Sequence, residues 1–323
     1  SHLQLQVSLA DGSQRPLDLT QLSLLISETC KDLSEVKHEL ILQETLRNLY
    51  DGMPILEIDK ALIISARTLV EQDPNYTYAT ARFLLRTLYT EALDFLELPT
   101  AVYTNNHAGV YHHYFQHYIK RGVALELLDP QLRSFDLEKL GKALLPERDQ
   151  QFTYLSLQTL YDRYFLHADD VRFELPQAFF MRIAMGLAQQ ESNKEDRAIE
   201  FYQLLSSFDY MASTPTLFNA GTLRPQLSSC FLTTVADDLD QIYSAIKDNA
   251  LLSKFAGGLG NDWTPVRAMG ARIKGTNGKS LGVVPFLNVA NASAVAVNQG
   301  GKRKGAVCAY LETWHLDIEE FLE

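Results

Sequence analysis

Cysteine is scarce in this 323-residue sequence: Cys30, Cys230 and Cys308 stand far apart, odd in number and in no zinc-ligand spacing. A disulfide framework and a Cys-rich metal site are therefore excluded, and a reducing cytoplasm is the expected setting. With 11 prolines and 17 glycines the chain is neither collagen-like nor a proline-rich disordered segment. No apolar run reaches about 18 residues, and no basic stretch leads an apolar one at the N-terminus, so neither a membrane span nor a signal peptide is expected. Positive charge is also in deficit, 29 Lys and Arg against 40 Asp and Glu, for a net charge of −11. Such a surface repels phosphate backbones at long range and argues against non-specific nucleic-acid binding, while leaving room for a local basic nucleotide pocket. Ser1-His2 reads as a vector-derived start, so the natural N-terminus is expected upstream.

What is present falls into three textures. Residues 3–9 alternate in polarity and meet the turn signal Asp11-Gly12 before Gln14–Leu19 resumes, which predicts a hairpin. Apolar-periodic segments follow at Leu19–Ile26, Leu40–Tyr50, Ile55–Glu71 and Tyr76–Phe95, giving an α+β module over 1–95. Residues 96–211 are helix-patterned almost throughout, with buried-helix spacing at Phe179–Ala188 and Ala198–Phe208. From 212 to 323 the β-prone runs Cys230–Val235, Val283–Phe286 and Ala306–Leu311 alternate with helical runs at Leu239–Lys254 and Phe286–Val297. That alternation predicts parallel βαβ units, with the glycine-rich connections as ligand loops.

Several motifs fail on spacing. Gly275-Thr-Asn-Gly-Lys-Ser280 would need its first P-loop glycine at Ile273, and Gly258-x-Gly260 reaches Trp263 where a dinucleotide fingerprint wants glycine. His113 and His117 stand i, i+4 beside His112, but without a matching carboxylate they read as a structural or surface cluster, and no metal site is expected. Gln299-Gly-Gly-Lys-Arg-Lys-Gly305 is either a solvated loop or a ligand loop; its place between a helix and a strand favours the latter. Ser228-Ser229-Cys230 precedes an apolar strand, and composition leaves open whether Cys230 is a small buried hydrophobe or a working thiol.

In combination these pieces resemble the large, catalytic α subunit of class I ribonucleotide reductase. The resemblance runs through Ala212-Ser-Thr-Pro-Thr-Leu-Phe-Asn-Ala-Gly221, Gln226-Leu-Ser-Ser-Cys230, Phe255-Ala-Gly-Gly-Leu-Gly260, Arg267-Ala-Met-Gly270, Asn298-Gln-Gly-Gly-Lys-Arg303 and Glu312-Thr-Trp-His-Leu-Asp317, in the family's order. It implies an α+β ATP-cone-like domain and an all-α domain followed by the first part of a ten-stranded α/β barrel. It also implies reduction of ribonucleoside diphosphates at C2′ by thiyl-radical chemistry. Cys230 would be one of the two redox cysteines, and Thr216 and Ser229 would contact substrate phosphate and ribose. Asp237 would hold an effector ribose, with Arg267 and Ile273 around its phosphates, and Gln299 and Arg303 would sit on the loop that passes effector identity to the substrate base. No intrinsic cofactor is implied. ATP or deoxynucleoside triphosphates would bring Mg to the specificity site, and a small subunit would supply the radical. Expected partners are that small subunit, a second large subunit in a homodimer and, if the gene is split, a C-terminal large-subunit fragment.

Two departures shape the expectation. Residues 3–95 resemble an ATP-cone, with Val7, Asp11-Gly12 and Tyr50-Asp51-Gly52, yet the family's nucleotide-facing cations are replaced by Leu9-Ala10, Gln21 and Thr90, and its histidine by Asp59. Such a cone is expected to keep the fold without binding ATP or dATP, and to be the inner of two cones if another lies upstream. The sequence also ends at Glu323, before the radical cysteine, the partner of Cys230 and the family's essential Asn and Glu, so no turnover is expected from this polypeptide alone. The competing reading is a non-catalytic assembly and regulatory half of a split reductase.

Overall fold

The structure is a computed structural model describing residues 4–99, 107–254, 257–297 and 305–323. Two compact units account for the chain, Ser1–Met211 with Gly221–Leu223, and Ala212–Ala220 with Arg224–Glu323.

The first unit opens with the expected hairpin, β1 (Gln6–Ser8) and β2 (Gln14–Pro16), antiparallel with Val7 opposite Arg15. The helices α1 (Leu19–Thr29) and α2 (His38–Arg47) follow. A two-residue strand, β3 (Met53–Pro54), then joins β1 in parallel on its other side. Helices α3 (Glu57–Leu69) and α4 (Tyr76–Phe95) complete the module. Leu22, Ile26, Ile41, Leu62, Ala66, Leu69, Tyr76 and Phe83 close one core at the spacing of facing helical stripes.

Helix α4 is buried on more than one side, Phe83 toward this core and Tyr89 toward Asp149 in the chain that follows, so it belongs to both halves of the unit. The remaining elements are α5 (His107–Ala124), α6 (Leu137–Ala143), α7 (Tyr154–Arg163), α8 (Pro176–Ala188) and α9 (Lys194–Ser206). A small hairpin that periodicity did not reveal, β4 (His167–Ala168) and β5 (Val171–Arg172), lies between α7 and α8. Its turn is Asp169-Asp170, both with positive φ (49° and 62°). Aspartate tolerates that region better than most residues, but the pair lacks the glycine that flags such turns in a sequence.

This unit buries an unusual amount of polarity. Asp149 accepts hydrogen bonds from the hydroxyls of Tyr89 and Tyr111 and from Gln177 Nε2 (2.7 Å). Burial pushes its carboxyl up to about 6, against those three bonds, which lower it. Elsewhere in the unit, Arg182 Nε and Nη2 grip the Glu174 carboxylate at 2.9 and 3.1 Å, and the Tyr118 hydroxyl also donates to it. Both charged side chains are fully buried.

In the second unit a short helix, α10 (Thr214–Asn219), leads to three parallel strands, β6 (Cys230–Thr234), β7 (Gly258–Asp262) and β10 (Ala306–Tyr310), ordered β10-β7-β6. Helix α11 (Leu239–Ser253) connects β6 to β7, and α12 (Val284–Val297) lies between β7 and β10 in the chain. A two-stranded hairpin, β8 (Arg272–Ile273) with β9 (Gly278–Lys279), precedes α12, and α13 (Ile318–Leu322) follows β10. The βαβ alternation is therefore present, but the described sheet is open, not a closed barrel.

Two local expectations are corrected. Val283–Phe286 is not a strand; α12 begins at Val284. Its β-branched residues misled, while Pro285, at home in a first helical turn, was the better signal. The glycine-rich Gly258–Asp262 is the central strand, not a loop. A Cβ on Gly260 would come within 2.8 Å of Leu232 Cδ2 and 3.1 Å of Tyr310 Cε2, so the centre of the sheet is glycine because its neighbours fill the space above it.

Candidate functional site

Strand register sorts the sheet into two faces. Cys230, Gly258 and Ala306 are level, as are Leu232, Gly260 and Cys308, and then Thr234, Asp262 and Tyr310. Because side chains alternate, all nine lie on one face. The other face carries Leu259 and Asn261, both buried, and Ala309, which packs on a core of Ile242, Ile246, Trp263, Val266 and Val283. Asn249 on α11 and Asn261 on β7 exchange two buried hydrogen bonds there (2.7 and 3.1 Å), pinning helix to strand. The Cys230 face is open: Leu232 is 84% exposed, and Cys230 and Cys308 are exposed free thiols. Cys230 is thus not a buried small hydrophobe.

The chain leading into Cys230 is stitched to α10. Thr216 Oγ1 donates to the Leu227 carbonyl (3.0 Å) and lies 3.1 Å from Ser213 Oγ, while Asn219 Nδ2 donates to Gln226 O (2.8 Å). Ser229 Oγ lies 3.8 Å from Cys230 Sγ. The predicted substrate residues Thr216, Ser229 and Cys230 therefore share one local assembly. The Thr216 proton is committed to Leu227, so toward any ligand the oxygen is first an acceptor.

Downstream of β6, Asp237 and Arg267 form the second expected cluster. Arg267 Nε meets both Asp237 oxygens (3.0 and 3.1 Å), and its backbone amide adds a third bond at 3.1 Å. Nη1 donates to Arg272 O (2.8 Å), tying the pair to the hairpin that carries Ile273. Burial alone would raise the Asp237 carboxyl, but the bonds and charge of Arg267 outweigh it and hold it below the usual range. Ile273 is half-buried opposite Gly278. Gln299 and Arg303 lie outside the described residues.

Gly275–Ser280 is the tip and return of the β8–β9 hairpin, with Asn277 at φ 56°. His112, His113 and His117 line α5, and no group of three metal-ligating side chains occurs among the described residues.

The sequence reading gave no role to Tyr310, named Cys308 only as one of three scattered cysteines, and took in His315 and Asp317 only as part of the Glu312–Asp317 motif. Tyr310 leans over Gly260 on the Cys230 face, and the neighbouring Cys308 sulfur pushes its hydroxyl up. Counting by two along β10 would have placed both beside Cys230. His315 and Asp317 are buried, which no periodicity signalled.

Comparison with known proteins bears on this arrangement. A family model for the ribonucleotide reductase all-alpha domain matches residues 150–225, and one for the ribonucleotide reductase barrel domain matches residues 228–323. The ribonucleoside-diphosphate reductase subunit alpha of Chlamydia muridarum is 49% identical over 98% of this chain, which spans 30% of that relative. The subunit alpha of Helicobacter pylori is 38% identical over 97% of the chain, and the large subunit of Danio rerio 37% identical over 97%, with 38% and 39% of those relatives covered. The chain thus spans well under half the length of these relatives. With like-named relatives along nearly all of its own length and two consecutive domain models in order, it belongs to the ribonucleotide reductase large-subunit family.

Proposed function

We propose that this chain is the thiol-and-effector portion of a ribonucleoside-diphosphate reductase large subunit. The observation that carries the reading is the placement of Cys230. It is an exposed thiol on the glycine-floored face of a parallel sheet, reached through a segment that Thr216 and Asn219 hold in place. In this reading the C2′ hydroxyl of a ribonucleoside diphosphate faces Cys230. The thiol donates its proton as the hydroxyl leaves as water, and Cys230 and a second cysteine become a disulfide. One thiol proton leaves in the water, and the other, with the two electrons released as the disulfide forms, puts hydrogen at C2′ in place of the hydroxyl. A small partner subunit supplies the radical that starts the sequence, and large subunits pair with each other. Asp237, Arg267 and the Ile273 hairpin form the place where a deoxynucleoside triphosphate with its Mg acts as effector, and Gln299 and Arg303 relay its identity.

The N-terminal module is in this reading an ATP-cone that no longer holds a triphosphate. Asp59 lies 3.5 Å from Arg86, so a cation within the module already faces a carboxylate of its own chain. Leu9, Ala10, Gln21 and Thr90 offer no positive charge. Full-chain titration with dATP, monitored by hydrogen exchange over residues 4–95, is expected to show no protection there.

The test of the main reading is hydrogen exchange with and without dTTP and Mg, followed by assay. Slowed exchange at Asp237, Arg267–Val283 and residues 299–305 is expected. Mixed with a fragment supplying the rest of a large subunit and with the small subunit, the chain should yield deoxynucleoside diphosphate, and Cys230→Ser should abolish product while keeping the dTTP response. Association with those partners but no nucleotide response and no product would instead favour the assembly role, a reading suited to the open sheet face around Leu232.

A further inference from the structure

The hairpin carrying Ile273 leaves and re-enters the second unit at Met269 and Val283, and one buried carboxylate holds both points. Asp317 Oδ1 accepts the Met269 amide at 2.9 Å and Oδ2 accepts the Val283 amide at 3.0 Å. Asp317 is 5% exposed, and among the described residues no Lys, Arg or His forms an ion pair with it. Its charge is met by backbone N–H groups, which makes these charge-assisted bonds in a dry place. The approach is so close that Gly282, at φ 85°, has no room for a side chain; a Cβ there would overlap Asp317 Oδ2 and lie 2.9 Å from Met269 N. Cross-links between Gly270 and Ser280 (2.9 Å) and between Ser280 and Ala271 (2.8 Å) close the hairpin just beyond the clamp.

The clamp is itself braced. His315 Nδ1 accepts the Asp317 amide at 3.1 Å, which leaves Nε2 to donate to Val266 O at 2.7 Å, and the Glu312 amide donates to Thr264 Oγ1 at 3.0 Å. The six residues from Glu312 to Asp317 thus grip Thr264, Val266, Met269 and Val283, and they begin two residues beyond the end of β10. On its far side the hairpin is tied through Arg272 O to Arg267 and Asp237.

We propose that Asp317, braced by His315, is the positioning residue of the Gly270–Gly282 hairpin and the rigid link by which nucleotide binding at that hairpin reaches β10. The inference rests on the effector reading above for its nucleotide and on the hydrogen bonds alone for the clamp. Asp317 touches no substrate in this role; it acts by fixing where Met269 and Val283 stand. Because both ends of the hairpin meet on one carboxylate, any displacement of the hairpin base is passed to the segment that continues from β10.

Hydrogen exchange on the full chain tests both parts. Without nucleotide, Asp317→Asn replaces one acceptor by a donor and should speed exchange at Met269 or Val283 by about 10-fold or more, and Asp317→Ala should do so at both, with the β6–β7 amides unchanged. With dTTP and Mg, wild type should slow at both Arg267–Val283 and residues 306–310; in Asp317→Asn the slowing at 306–310 should vanish while that at Asp237 and Arg267 persists. If a variant at 317 does not fold, Gly282→Ala in the otherwise unchanged chain should reproduce its effects by driving the carboxylate away. Unchanged exchange at Met269 and Val283, or an intact β10 response in the variants, overturns the proposal. A wild type silent to dTTP sinks the effector reading and the link to β10, while the nucleotide-free arm still decides the clamp.

Discussion

Arg267 and Asp237 are each other's principal partner: the guanidinium Nε lies within 3.1 Å of both carboxylate oxygens, and the arginine's own backbone amide closes on the same carboxylate. The two residues that the resemblance assigns to an effector nucleotide thus form one strut, with Nη1 reaching on to the hairpin at Arg272.

That strut has a titration consequence. Arg267→Ala removes the bonds and charge that hold Asp237 low, so the Asp237 carboxyl should move up toward or above the ordinary aspartate value. The sign follows from the lowered native pKa: stability from this pair is present above about 3.9 and fades as pH falls through the lowered native value. Carboxyl-carbon NMR of Asp237 in the two proteins measures it, and an unmoved titration would refute the strut.

Asp149 behaves in the opposite sense. Its native carboxyl titrates at about 6, above the unfolded value, so native protein takes up the proton first. Stability from this group is greatest below about 3.9 and is lost as pH rises to about 6, by roughly 3 kcal/mol for a shift of about two units. Asp149→Asn should flatten that part of the profile. Denaturant midpoints of both proteins between pH 4 and 7 would show it; parallel profiles would contradict it.

Gly260→Ala should destabilise the second unit by no more than about 1 kcal/mol, because the new methyl meets the far end of Leu232, which is 84% exposed on an open face. Leu232→Ala in the same chain should recover much of this, because Leu232 Cδ2 is the nearest atom to the new methyl. Thermal melts of the single and double variants decide the matter, and strict additivity would count against the proposed contact.

Thiol labelling of the native chain should separate the three cysteines. Cys230 and Cys308 are exposed, whereas Cys30 is buried and its thiol is raised to about 11 by desolvation, only partly offset by the charge of Arg82. Since the thiolate is the reacting form, iodoacetamide near neutral pH should modify the first two well before Cys30. Mass spectrometry of timed digests reads the order directly.

Legibility in the sequence followed the kind of force at work. Helices α1 to α4 could be read nearly to their ends because apolar stripes at helical spacing leave a local trace. The strand Gly258–Asp262 could not, because its glycines answer to Leu232 and Tyr310, which lie far off in the chain. The Asp149 and Asp317 clusters were invisible for the same reason: a buried carboxylate looks like a surface one until its distant donors, Tyr89 and Tyr111 or Met269 and Val283, are brought to it. Cys230, Asp237 and Arg267 were singled out by motif resemblance, and the bonds between Asp237 and Arg267 became visible only in the fold.

The sheet register also acts as an insulator between thiols. Cys230 and Cys308 look out from the same face, but β7 runs between their strands and they are offset by two residues. Two strand spacings of about 4.8 Å and two rises of about 3.3 Å put their Cα atoms about 12 Å apart. A disulfide spans at most about 7 Å. The two exposed sulfurs therefore cannot oxidise each other while the ladder stands, and any electron pair drawn from Cys230 through a disulfide has to be shared with a thiol from outside these three strands.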